Sequence, residues 1–104
     1  MFRSREQNYF TYITCNPRKT VLYIGMTNDL ELRIKQHYMN RGKTETFAGK
    51  YYCYKLIYYE RYNDVSMAIE REKEIKDLSR EKKIELIRST NPLLQLLAVN
   101  FEIN

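Results

Sequence analysis

Five side chains in this sequence have the types and the order to act on phosphate esters: Tyr12, Tyr23, Arg33, His37 and Glu72. Cutting a phosphodiester with water requires an activated water, neutralisation of charge on the phosphoryl oxygens, and stabilisation of the leaving oxygen. Arginine offers a planar, permanently charged fork that suits a phosphate oxygen. Histidine titrates near neutrality and can orient a phenol or share its proton. A phenol, ordinarily ionising near about pH 10, accepts a proton at neutral pH only where positive charge or a hydrogen-bonding partner favours the phenolate. A single carboxylate suits Mg²⁺, which keeps several waters and draws its remaining ligands from phosphate oxygens. All of this chemistry requires the five groups to act at one phosphate.

The elements that would position them can be read from local patterns. Tyr9 to Thr14 and Val21 to Gly25 are short strand-like runs separated by Cys15-Asn16-Pro17-Arg18-Lys19-Thr20, where Asn-Pro marks a turn, so a hairpin is expected. A loop symmetric about Pro17 and Arg18 pairs Cys15 with Thr20, Thr14 with Val21, Ile13 with Leu22 and Tyr12 with Tyr23. The two phenols then face each other; a one-residue slip would send them to opposite faces. The plain alternative is an aromatic pair in a core.

Asn28-x-x-Glu31 is placed like a helix cap with its third-position acid, and Asp29 to Met39 follows with helical spacing. At about 100° per residue, Leu30, Ile34 and His37 share one stripe with Arg33 and Tyr38 on its flanks. Arg33 and His37 therefore project together, although an arginine at the edge of an apolar stripe can also simply snorkel to water. A later helix is expected from Asp64 to Asp77, capped by Asn63 or Asp64, with Val65, Ala68, Ile69 and Ile75 on its buried stripe. Glu72 falls near the middle of that stripe, whereas Glu70 and Glu74 point outward. A carboxylate aimed at a core must be paired, hydrogen-bonded or bound to a cation. An ion pair with Arg33 or Lys76 and a metal site both remain open.

The ordered combination resembles the GIY-YIG endonucleases, and more closely their small stand-alone single-domain bacterial members, over roughly Tyr9 to Pro92. The first triplet corresponds to Phe10-Thr11-Tyr12, the second to Tyr23-Ile24-Gly25, and the arginine motif to Arg33-x-x-x-His37. The family's metal-binding glutamate falls on Glu72 and its late asparagine on Asn91. Phe47 to Tyr51 followed by Leu56 to Glu60 looks like the third strand of the small members. Phe10 and Thr11 depart from the glycine and aliphatic residue of the first triplet, while the tyrosine is kept. The resemblance implies an α+β fold, a small three-stranded antiparallel sheet flanked by helices, and a divalent-metal-dependent endonuclease acting on nucleic acid, DNA favoured, in DNA repair or recombination. It implies that Tyr23 takes a proton from the attacking water, that Tyr12 hydrogen-bonds within the site, and that Glu72 holds a single Mg²⁺ (or Mn²⁺). The alternative is a nucleic-acid-binding module whose degenerate site does not cleave.

The remaining sequence agrees with an anionic partner. Eighteen Lys and Arg against 13 Asp and Glu give a net charge of +5. Lys19, Lys35, Arg41, Lys43 and Lys50 lie in the hairpin loop, first helix and third-strand region, and with Asn91 they are the expected nucleic-acid contacts, positioning a backbone without reading sequence. The run Glu70 to Glu85 mixes both signs and reads as a solvated face of two helices, the second near Arg80 to Ser89. Tyrosines crowd the segment from Lys50 to Tyr62; a strand near Tyr52 to Tyr62, central and half-buried on both faces, is expected there rather than a stacking surface. Cys15 and Cys53 lack paired spacing and read as buried thiols. One domain over residues 8–92, a C-terminal extension over 93–104, a cytoplasmic location, no membrane partner, and a monomer or weak homodimer complete the expectation. The apolar extension would pack on the domain or on a second copy.

Overall fold

A computed structural model describes residues 7–98. The chain runs β1 (Tyr9–Cys15), β2 (Leu22–Thr27), α1 (Leu30–Met39), a short α2 (Phe47–Lys50), β3 (Lys55–Tyr62), α3 (Val65–Asp77) and α4 (Arg80–Arg88). The three strands form one antiparallel sheet in the order β2-β1-β3. Side chains alternate along β1, so the sheet feeds two cores. Ile13 and Cys15 pack with Ile57, Tyr58, Ile75 and Ile87 beneath α3 and α4. Tyr12 packs with Leu30, Ile34 and Leu56 beneath α1. The α+β architecture is the one expected.

The hairpin register differs from the sequence expectation by two residues. Tyr12 pairs with Gly25, Thr14 with Tyr23 and Cys15 with Leu22. The cause lies in the loop. The Asn16 side chain accepts hydrogen bonds from the Thr20 and Val21 N–H groups at 2.8 and 2.9 Å, and Lys19 takes a left-handed conformation (φ 61°). This moves the centre of the turn one residue toward the C-terminus. A shift of two preserves facing, so Tyr12 and Tyr23 remain on one face as diagonal rather than opposed neighbours.

Three further expectations are corrected. The cap of α1 is Asp29, whose side chain accepts from Leu32 N at 3.1 Å, not Asn28 with Glu31. Phe47 to Lys50 forms a helical turn rather than strand, capped by Thr46, whose side chain accepts from Gly49 N at 3.0 Å. Finally, β3 is an edge strand and β1 is central, and Tyr51, Tyr52 and Tyr59 are exposed. A bulge between β1 and β3 at Ile13/Thr14 resets the alternation of β3, so adjacent Ile57 and Tyr58 both feed the α3 side while Leu56 feeds the α1 side.

α3 is fastened to the sheet by two groups of bonds. Thr11 Oγ1 donates to the Ala68 carbonyl at 2.8 Å, and Arg71 bridges to Glu60 at 2.8 and 3.0 Å. Glu60 also accepts from the Tyr58 and Tyr62 hydroxyls. Burial works against this carboxylate, and Arg71 with the two hydroxyls outweighs it, holding Glu60 below the usual carboxylate pKa. Val65 and Ile69, expected on the buried stripe of α3, are partly exposed, while Ala68 and Ile75 are fully buried. After α4, Leu94 is buried and Leu97 N donates to the Leu56 carbonyl at 2.9 Å, so the tail packs on the domain as far as Leu97. Residues 99–104 of the extension lie outside the described residues.

The segment between α1 and β3 turns on two glycines. Gly42 has φ +86°, and Gly49 is packed against the Lys43 carbonyl and the Asn40 carbonyl, the latter 2.8 Å from where a Cβ would stand. Gly49→Ala must therefore displace backbone, and is expected to lower the melting temperature by roughly 10 °C, on the order of 2 kcal/mol. Thermal unfolding followed by circular dichroism checks it.

Candidate active site

The site forms where β1 and β2 meet α1. Tyr12 is fully buried, its ring over Gly25 of the paired strand. A Cβ at Gly25 would lie 2.6 Å from the Tyr12 hydroxyl and 3.0 Å from the edge of the Tyr23 ring. Glycine is thus required by close approach of a side chain, not by backbone conformation. The Tyr12 hydroxyl lies 2.8 Å from His37 Nε2. The Tyr12 and Tyr23 ring centroids are 6.3 Å apart, and His37 meets Tyr23 edge-on at 5.3 Å. Helical spacing brings Arg33 one turn before His37, onto the same flank of α1.

Electrostatics fixes the resting protonation. Burial pushes the Tyr12 phenol well above its ordinary pKa; Arg33 opposes this, while Tyr23 and the Glu72 carboxylate add to it. Burial, and then the positive charge of Arg33, holds His37 down at about 4. At neutral pH both members of the pair are uncharged. The Tyr12 O–H donates to Nε2 in one neutral tautomer of His37 and accepts from Nε2–H in the other.

Glu72 stands on α3, the helix on the opposite face of the sheet, largely sheltered from solvent. Its carboxylate pairs with Lys76, one turn along, at 3.0 Å. Of the ion pairs left open by the sequence, the one with Lys76 is formed. Lys76 itself is 54 % exposed, so this pair is weak and easily exchanged for another cation. Among the described residues no group of three or more His, Cys, Asp or Glu is arranged as a metal cage. A single carboxylate whose partner is an exposed lysine fits a cation that draws its other ligands from water and phosphate, as Mg²⁺ does.

The expected nucleic-acid contacts divide. Lys50 ends α2 with its amine 5.3 Å from the Tyr51 ring centroid, and Lys43 precedes α2 with its carbonyl against Gly49. Arg41 stacks over Tyr38 at 3.8 Å, and Lys35 borders an apolar hollow with Tyr38 and Tyr54. Lys19 lies at the hairpin tip with its amine 3.3 Å from the Leu93 carbonyl, beside Arg80 and Arg88 and away from the tyrosine cluster. Asn91 is corrected. It is buried, its amide donates to the Ile57 and Gln95 carbonyls at 2.9 and 2.8 Å, and its oxygen accepts from Gln95 N at 3.0 Å. Its polar groups anchor the tail to β3 rather than face a ligand. Two contributors were missed: Phe47, stacked 6.3 Å from Tyr23, and the Glu60–Arg71 pair that seats the glutamate helix. The Ala-Ile-Glu-Arg-Glu stretch hid Arg71 among surface charges.

A family model described as the GIY-YIG catalytic domain matches residues 8–85. The chain belongs to the GIY-YIG family. It is 35 % identical over 82 residues to a UPF0213 protein of Staphylococcus aureus, covering 78 % of this chain and 95 % of that one. It is 34 % identical over 82 residues to the UPF0213 protein of Staphylococcus saprophyticus, covering 79 % and 95 %. The solution NMR structure of the UPF0213 protein BH0048 from Bacillus halodurans superposes with a TM-score of 0.54 at 25 % identity, covering 93 % of this chain and 99 % of that one. These are small proteins of the same family, and the Bacillus halodurans structure shares the three-stranded sheet flanked by helices. The family is one of nucleases, and with it comes binding of nucleic acid. Among the described residues no helix is long and apolar enough to cross a membrane.

The low pKa of His37 carries a stability consequence. Between about 4 and its ordinary 6.5, an unfolded chain binds a proton at His37 that the folded chain refuses. Stability therefore falls as pH drops through that window, and this group adds no pH dependence above it. Melting temperatures measured across the window should decline toward acid in the wild type, and His37→Gln should flatten that decline. An unchanged slope in the variant would assign it to other groups.

Proposed function

We propose that this protein is a divalent-metal-dependent endonuclease that hydrolyses phosphodiester bonds in nucleic acid, with DNA the favoured polymer. The observation that carries this reading is the buried Tyr12, bound to His37 and gathered with Tyr23 and Arg33 at the junction of β1, β2 and α1. Arg33 is the group suited to grip a phosphate oxygen. Tyr12 is held by His37, whereas Tyr23 makes ring contacts with His37 and Phe47, which leaves Tyr23, in its phenolate form, as the group that takes a proton from the attacking water and becomes the phenol. His37 orients Tyr12 and shares its hydroxyl proton. Glu72 would hold a Mg²⁺ or Mn²⁺ ion, which when bound neutralises charge on the phosphoryl oxygens.

The altered first triplet has a structural explanation that leaves this reading intact. Thr11 ties β1 to α3 through Ala68, and Phe10 packs against the Tyr12 cluster and lies 6.1 Å from Tyr59, so both replacements support the strand that carries Tyr12. A binding module without turnover therefore loses one of its motives. The Lys76 pair on Glu72 leaves the carboxylate open to a cation, since that lysine is 54 % exposed.

Cleavage of a labelled panel of single-stranded, duplex and branched DNA and RNA with Mg²⁺ or Mn²⁺ tests the proposal. Glu72→Ala and Tyr23→Phe should each lower the rate about 100-fold or more, with melting temperatures changed by only a few degrees. A chelator should abolish cleavage. Salt-dependent binding with no cleavage by wild type would select the silent binding module, and cleavage retained in both variants would point to a contaminating nuclease.

A further inference from the structure

The tyrosine cluster continues outward into aromatic surface. Phe47 lies against Tyr23 with an interplanar angle of 26°, and Tyr51 lies 4.7 Å from Phe47. Phe47 opens α2 and Tyr51 caps its C-terminus, four residues on. Phe47 is 51 % exposed and Tyr51 40 % exposed, so much of their surface faces water. The Lys50 amine stands 5.3 Å from the Tyr51 centroid. Behind the shelf the backbone is fixed. Gly42 N donates to the Gly49 carbonyl at 2.8 Å, Cys53 N donates to the Ala48 carbonyl at 2.9 Å, and Ala48 and Gly49 are buried.

Contiguous exposed rings with a cation beside them are unfavourable to leave in water and form a platform for the flat face of a nucleobase. Their position decides which base. The shelf starts at Tyr23, so a phosphate held between Tyr23 and Arg33 places its own or the adjoining base within reach of Phe47. Inside a duplex both faces of a base are covered by neighbouring pairs; only an unpaired or unstacked base can offer one. The geometry points to Phe47 and Tyr51 as a stacking subsite for an unpaired base next to the scissile phosphate, making single-stranded or locally opened nucleic acid the substrate class. This inference rests on the nuclease reading for its orientation, yet it concerns binding and can be tested without cleavage.

The probe is a single-stranded DNA 12-mer carrying 2-aminopurine, titrated into the Glu72→Ala protein with EDTA present. Stacking should quench its fluorescence and shift its spectrum. Phe47→Leu keeps bulk without a π-face, and should weaken single-strand binding roughly 5- to 100-fold and remove the quench, while a blunt duplex of the same sequence changes less than about 2-fold. Tyr51→Leu should act in the same direction, and Phe47→Tyr should restore both signals. Equal losses on single strand and duplex, or an unaltered quench in Phe47→Leu with unchanged melting temperature, would overturn the subsite. Quenching by the Glu72→Ala protein alongside inactive wild type would keep the subsite and remove the nuclease reading. Wild-type cleavage that prefers duplex and ignores Phe47→Leu would do the reverse.

Discussion

The close approach of Tyr12 to Gly25 is the constraint on which the site depends. A phenol ring can lie across a neighbouring strand only where that strand has no Cβ, and the space left at Gly25 is filled by the Tyr12 hydroxyl at 2.6 Å. This contact exists in one register of the hairpin. The register in turn follows from the Asn16 side chain, which gathers the Thr20 and Val21 N–H groups and places the turn. A loop far from the chemistry thereby determines that Tyr12 meets His37 and that Tyr23 falls diagonally beside it. The glycine of the second triplet and the tyrosine of the first are therefore one structural unit.

Opposite charges and neutral pairs are distributed between the two faces of the sheet. On the α3 side, Glu60 and Arg71 form a charged pair with two tyrosine hydroxyls closing it, which is inexpensive because every donor finds an acceptor. On the α1 side, Tyr12 and His37 are both neutral, with Arg33 the nearby permanent charge. Desolvation explains the difference, since a buried group without a counter-ion keeps its neutral form. Glu72 stands between these regimes: its charge acts on Tyr12 from across the sheet while its carboxylate is held by a lysine that reaches into solvent.

Much of this was legible in the sequence. Elements at the level of helix and strand followed from periodicity, and α3 and α4 lie within a residue of their expected bounds. That Tyr12 and Tyr23 share one face was legible because a two-residue difference in register leaves facing intact. What periodicity cannot carry is long-range. The bulge at Ile13/Thr14 gives β3 two adjacent inward residues, a pattern that reads as a central strand although β3 is an edge. The turn at Phe47 to Lys50 is held by Thr46 and by glycine packing, neither visible as a helical stripe. Asn91 carried no sign in the sequence that its amide would be spent on the backbone of β3 and of the tail.

The resting electrostatics also bears on how such a site would answer its substrate. A phosphodiester arriving at Arg33 brings one negative charge into a region where His37 is deprotonated chiefly by burial and partly by that same guanidinium. Pairing the anion with Arg33 cancels the repulsion that Arg33 exerts on His37, and the added negative charge favours the imidazolium further. The same negative charge disfavours a Tyr12 phenolate and offsets the support that Arg33 gives it, so Tyr12 would keep its proton and its hydrogen bond to His37.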